Sequence, residues 1–116
     1  MLFRSLAGNK YIVSAHSNGT VTGPTTIAGA TPVKAGETIS LYGTGFTVNT
    51  PGVGTATLPT VTIGGLTATV TFGGLIDLGI YQVNVIVPST LTTGDAAVVA
   101  TMAGNQSQAN AFISIQ

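Results

Sequence analysis

The chain has 116 residues, a length that fits one domain with a single two-layer core, and it contains no cysteine, so packing must hold it together without disulfides or thiolate metal sites. Only 5% of its residues are Asp, Glu, Lys or Arg, against about 25% in ordinary soluble domains, and the six (Arg4, Lys10, Lys34, Glu37, Asp77 and Asp95) sum to zero. That leaves no basic footprint for nucleic acid, and no apolar run approaches the ~18 residues of a membrane helix. With so little charge, a free surface has weak protection against association. It must be covered by neighbours or solvated by hydroxyls and amides, and threonine is roughly one residue in six.

The opening MLFRSLAG has one Arg and no apolar stretch, so it is not a signal peptide. MLFRS reads like the translation of a short-read sequencing adapter. Residues 1–8 are therefore expected to be a disordered or artefactual start, and any export signal to lie upstream of this fragment. Residues 9–24, NKYIVSAHSNGTVTGP, predict a β-hairpin. Tyr11, Ile12 and Val13 form its strand core, Ser17-Asn18-Gly19-Thr20 its turn, and Val21 begins the return. Because Tyr11 to Val13 are apolar on both faces, they need cover from two sides. The second side is expected to come from a neighbour.

Residues 25–116 read as strands punctuated by Gly and Pro, with no helix. Ile39 and Leu41 share a face within Thr38-Ile39-Ser40-Leu41-Tyr42. Val61 and Ile63 precede a break at Gly64-Gly65. Leu66, Ala68, Val70 and Phe72 oppose Thr67, Thr69 and Thr71, and Gly73-Gly74 is expected to end that strand. Tyr81, Val83, Val85 and Val87 face inward until Pro88. Ala96 to Met102 form the next strand, Ala103 to Gln106 a turn, and Ala111, Ile113 and Ile115 the inner face of the last. This spacing predicts an all-β chain: an immunoglobulin-like β-sandwich of about seven strands preceded by the hairpin. The turn-rich stretch 47–59 is expected to be a surface loop.

Three segments, PVKAGETISLYGTGF (32–46), PTVTIGGLTATVTFGG (59–74) and GIYQVNVIVPSTLTTGD (79–95), together resemble the IPT/TIG-like immunoglobulin domains. The similarity is greatest to the uncharacterised domain at the C-terminal end of large secreted proteins of soil bacteria. There a hairpin of the type His16-Ser17-Asn18-Gly19-Thr20-Val21-Thr22-Gly23-Pro24 commonly precedes the sandwich. The resemblance implies an exported, non-catalytic β-module.

Candidate chemistry is sparse. His16 is the sole histidine, and a Ser-His-Asp constellation needs three groups to converge without any G-x-S-x-G elbow in view; a turn-flanking imidazole is the simpler reading. Asp77 and Asp95 sit where a weak Ca²⁺ site could form, although three isolated carboxylates and one His offer no ligand spacing. Gly43-Thr44-Gly45 reads as a bulge or tight corner, with no helix to make it a phosphate loop. Lys34 and Glu37, with Asn84 or Asn110, hold the ingredients of an autocatalytic isopeptide bond, which requires a buried neutral Lys. Asn18-Gly-Thr and Asn105-Gln-Ser are sequons with ordinary turn composition. No cofactor is expected.

The functional expectation is a non-catalytic extracellular structural module that associates with copies of itself or adjacent domains, including fibre growth by β-strand addition at unguarded edges. Tyr11, Ile12, Val13, Val21, Phe46 and Phe112 are its expected interface residues. The alternative is a cell-surface adhesion or polysaccharide-binding module of a larger secreted protein, using exposed aromatics.

Overall fold

A computed structural model describes residues 2–6, 10–45, 58–77, 80–102 and 104–116. It is all-β. The strands are β1 (Leu2–Phe3), β2 (Ser14–His16), β3 (Val21–Thr22), β4 (Ala30–Thr31), β5 (Thr38–Thr44), β6 (Thr60–Ile63), β7 (Leu66–Asp77), β8 (Ile80–Ile86), β9 (Gly94–Met102), β10 (Asn105–Gln106) and β11 (Phe112–Ile115). The hydrogen-bonded order is β10-β9-β6-β7-β8-β5-β2-β3-β4, with β1 on β5 and β11 on β9.

Two strands turn corners. β7 pairs with β6 through Leu66, Thr67 and Ala68, then with β8 from Thr69 to Asp77. Residues 10–16 do the same at the opposite end. Ile12 N–H donates to Phe112 O (3.0 Å) and Phe112 N–H to Lys10 O (3.1 Å), and then Ser14, Ala15 and His16 pair with Leu41, Ser40 and Ile39 of β5. Sheets commonly change partners through strands of this kind. The buried side chains of β5 and β8 (Ile39, Leu41, Val83, Val85) share one hydrophobic cluster with those of β6, β9 and β11 (Val61, Ile63, Val98, Ile113, Ile115). A two-layer β-sandwich is consistent with this arrangement.

Local chemistry accounts for the strand breaks. Gly64 and Gly65 both have positive φ (60° and 83°), the backbone that a two-residue hairpin turn between right-twisted strands demands. Ser17 to Thr20 form the turn between β2 and β3, where Asn18 Oδ1 accepts the Thr20 N–H at 3.0 Å. The hairpin therefore exists, but its paired strand is Ser14–His16 and not Tyr11 to Val13. Residues 11–13 are spent one step earlier, on β11 and on residues 4–6: Val13 N–H donates to Arg4 O and Leu6 N–H to Tyr11 O (2.8 Å).

The run after Thr71 departs from strict alternation. A bulge between Val70 and Phe72 shifts the phase by one residue, so Phe72 sits opposite Asn84 on the outer face, and Gly73 and Leu75 take the inward places opposite Val83 and Tyr81. Gly73-Gly74 does not end the strand, which continues to Asp77. Glycine is needed at Gly73 because a Cβ there would lie 2.6 Å from the hydroxyl of fully buried Tyr81. Residues 2–6, expected to stand outside the fold, have a place in it. Leu2 and Phe3 pair with Thr44 and Gly43, and Phe3 is buried. The Gln108 carboxamide brackets Phe3, accepting from its N–H (2.9 Å) and donating to its carbonyl (2.8 Å), in the manner of a neighbouring strand.

Candidate functional site

The six expected interface residues do not form one patch. Ile12 is 0% exposed, in the core of its own chain, so it offers no surface to a second copy. Val13 is half-buried and lines an apolar groove with Arg4, Ser5, Tyr42, Ile76 and Ile80. Val21 is exposed on β3, paired with Ala15 on one side and Ala30 on the other. Tyr11 and Phe112 are half-buried and adjacent, joined by a parallel bridge. Phe46 lies outside the described residues, as does most of the stretch 47–59.

Tyr11 and Phe112 belong to a small charged cluster. Lys10 Nζ lies 2.7 Å from Asp95 Oδ2 and 4.9 Å from the centre of the Phe112 ring, a cation–π distance. The Tyr11 hydroxyl donates to Asp95 Oδ1 at 2.8 Å. These hydrogen bonds, from Lys10 first and Tyr11 second, hold the Asp95 carboxyl below its ordinary range. The bond to Asp95 raises Lys10, and the same partner raises the Tyr11 phenol. The Asp95 carboxylate thus serves as an anchor between β9 and residues 10–11.

A second site is built on His16, at the end of β2. Its Nδ1 lies 2.8 Å from Glu37 Oε2, and its Nε2 lies 2.8 Å from Thr31 Oγ1 and 3.1 Å from the Thr31 carbonyl oxygen. Glu37 is fixed in turn by its Oε1, which accepts the Lys34 N–H at 2.7 Å. A carboxylate can only accept, so Nδ1 donates to Glu37; at Nε2 the Thr31 carbonyl oxygen can likewise only accept, whereas the Thr31 hydroxyl can take either role. The cluster opens into a polar groove of about 640 Å³ whose walls include Asn18, Thr25, Lys34 and Gln116. The groups that meet the histidine are therefore a glutamate and a threonine, where a serine and an aspartate were sought. Nothing local in the sequence marks Thr31. It reaches His16 because the parallel β3–β4 pair carries it there.

The remaining candidates are placed as follows. Lys34 is exposed, and the Asn84 carboxamide oxygen accepts from Ser40 and Gln82 (2.8 Å each), so the buried lysine of isopeptide chemistry is not supplied. Asp95 is engaged as above, and Asp77 ends β7; among the described residues no group of three metal-ligating side chains forms. Gly43, expected at a bulge or tight corner, lies within β5, paired with Phe3 on one side and Tyr81 on the other without a register shift.

The outer face of β5, β8 and β7 is a further feature. Thr38, Ser40 and Tyr42 lie opposite Ile86, Asn84 and Gln82, and Thr69 and Phe72 continue the face on β7. None of these side chains is charged, and Ile86 is exposed. Ser40, Gln82 and Asn84 hydrogen-bond with one another across the strands, which satisfies much of their polarity internally. No family model, curated protein or solved structure matches the chain.

Proposed function

We propose that the chain is a non-catalytic extracellular structural module, of the IPT/TIG-like immunoglobulin type, that joins to copies of itself or to adjacent domains. The observation that carries this reading is the uncharged outer face of β5, β8 and β7, on which Thr38, Ser40, Tyr42, Thr69, Phe72, Gln82, Asn84 and Ile86 lie together. Contiguous surface without charge is what an isolated domain normally avoids and an interface core favours. Stacking of sheet faces is the preferred mode. Strand addition along β11 would have to displace Ile12 and Val33, which already hydrogen-bond to Phe112 O and Ser114 O. Along β1 it would have to displace Gln108. Sedimentation velocity over a concentration series tests the proposal. Wild type should associate reversibly, and Ile86→Lys or Thr69→Lys, exposed positions that leave the core intact, should sediment as monomers. A monomeric wild type at high concentration, or charged variants that associate equally, would defeat it.

The polysaccharide-binding reading has one observation in its favour. Tyr11 and Phe112 lie side by side with Lys10 and Asp95, which combines aromatic surface with hydrogen-bonding groups. Glycan binding abolished by Phe112→Ala would support it, and an array with no binding would set it aside.

A further inference from the structure

Arg4 and Asp77 stand at opposite margins of one end of the uncharged face. Tyr42 of β5 lies opposite Gln82 of β8, and Asp77 of β7 lies opposite Ile80 on the far side of β8. Arg4 is beside Tyr42 on the other margin, where its N–H donates to Tyr42 O (3.0 Å). Both charged residues are exposed, and an apolar groove of about 410 Å³ lined by Val13, Tyr42, Ile76 and Ile80 runs up to Arg4. Three strand spacings of ~4.8 Å put Arg4 and Asp77 about 14 Å apart across the sheet, and an offset of two residues adds about 7 Å along it. At that separation they do not pair within one chain.

Two copies stacked face to face can take their two-fold axis across the strands or along them. Across the strands, each margin meets the same margin of the partner with its ends reversed. Arg4 and Asp77 then come over the uncharged positions of Ala15 and Thr69, at the other end of their own margins. Along the strands, the margins exchange. Each Arg4 then faces the partner's Asp77, twice over, and the long arginine stem spans the offset between them. Asp77 has a contact within its own chain, and a carboxylate with two oxygens still accepts a guanidinium.

We infer that the partner seated on this face is a second copy of the chain, related by a two-fold axis running along β5 and β8, with each Arg4 paired to the partner's Asp77. Opposite charges fix the orientation, as they do at other interfaces. The same operation lays the two apolar grooves against each other at one end. Such a contact is isologous and closed, so assembly stops at the dimer. Three strand spacings by the seven residues of β5 give a footprint of roughly 14 × 20 Å, small for a permanent dimer and suited to a reversible one. The inference rests on the association reading and adds to it the occupant, the orientation and the stoichiometry.

Sedimentation velocity at low ionic strength, where surface charges are least screened, tests it. Wild type should converge on a dimer as its concentration rises. Arg4→Asp and Asp77→Arg should each weaken dimerisation by about tenfold or more, because like charges then face each other twice. Both positions are exposed, so neither change empties the core. An equimolar mixture of the two variants should recover the dimer, since each chain supplies the charge that the other needs. The double variant, neutral overall like the wild type, should recover it without any attraction of net charge. A second measurement avoids the charges altogether. The chain has no cysteine, so Ile86→Cys adds a single thiol, on β8 beside the axis. A short bismaleimide should join two such chains, whereas an axis across the strands would hold the thiols at opposite ends. A wild type that stays monomeric at high concentration would defeat the association reading and this inference with it. An associating wild type that grows past the dimer, single variants that associate like it, a double variant without recovery, or Ile86→Cys chains that are not joined would each overturn the orientation alone.

Discussion

Replacing Ile12 by alanine tests whether the N-terminal segment is core or appendage. Ile12 is 0% exposed, and its N–H is bonded to Phe112 O. Removing three methyl or methylene groups forfeits roughly 2.4 kcal/mol of transfer free energy at about 0.8 kcal/mol each. The cavity left among neighbours that relax only partly raises the expected loss to about 3–4 kcal/mol, within the ~2–5 kcal/mol range for such substitutions. Against a total stability of about 5–15 kcal/mol, that is a large fraction. At about 4 °C per kcal/mol for a domain of this size, the midpoint should fall by roughly 12–16 °C. Urea unfolding followed by far-UV circular dichroism, with an unchanged m-value, measures it. Val21→Thr on the exposed strand β3 is the internal control and should stay within about 0.5 kcal/mol. If Ile12→Ala also stays within ~0.5 kcal/mol, residues 10–13 are not part of the core and the placement of the whole N-terminal segment is wrong.

Two further predictions rest on single contacts. Gly73→Ala places a Cβ 2.6 Å from the Tyr81 hydroxyl and 3.3 Å from Leu58 and Pro59 side-chain atoms, so β7 or Tyr81 must shift. A loss of about 1–3 kcal/mol in chemical denaturation is expected, whereas a neutral substitution would show that the approach is not close. The Lys10–Asp95–Tyr11 cluster gives a pH dependence whose sign follows from the directions of its shifts. Asp95 is held low in the fold, so its contribution is present above the unfolded carboxylate value and is lost as pH falls through the depressed folded value. Lys10 and Tyr11 are held high, so theirs is present below their unfolded values and is lost as pH rises through the raised folded ones. The pair is solvent-accessible, so each effect is small. Denaturation midpoints across pH should show Asp95→Asn flattening the acid limb; an unchanged acid limb would contradict the geometry.

Much of the strand framework was legible because period-two alternation and turn chemistry act locally. Ile39 and Leu41, Val61 and Ile63, Tyr81, Val83, Val85 and Val87, and Ala111, Ile113 and Ile115 all point inward as their spacing implies. Gly64-Gly65 is the turn that its composition predicts. Local reasoning failed where a tertiary contact decides. Gly73-Gly74 looks like punctuation, but Gly73 is a close-approach site for a tyrosine hydroxyl and Phe72 is turned outward by a bulge that no residue pattern announces. Phe3 looked dispensable because the residues that hold it, Gly43 and Gln108, are far away in sequence. Tyr11 to Val13 were expected to be covered from two sides, the second by a neighbour; Ile12 is buried, whereas Tyr11 and Val13 stay half-exposed. The hydrogen-bonding neighbours of residues 11–13 are residues 4–6 and β11 of the same chain, because residues 10–16 pass from β11 to β5. Of the candidate sites, His16 was visible as a lone imidazole. Its partners Thr31 and Glu37 were not, since only the β3–β4 pairing and the turn before β5 bring them to it.

The central claim is that the hairpin segment completes its own chain's sheets. Amide hydrogen exchange resolved at Ile12, Val13 and Tyr42 tests it most directly, because their N–H groups donate to Phe112 O, Arg4 O and Val13 O respectively. Strong protection at these amides, unchanged as the protein is diluted, is the expected result. Protection that disappears on dilution, while the β8 amides stay protected, would place residues 10–13 on another molecule.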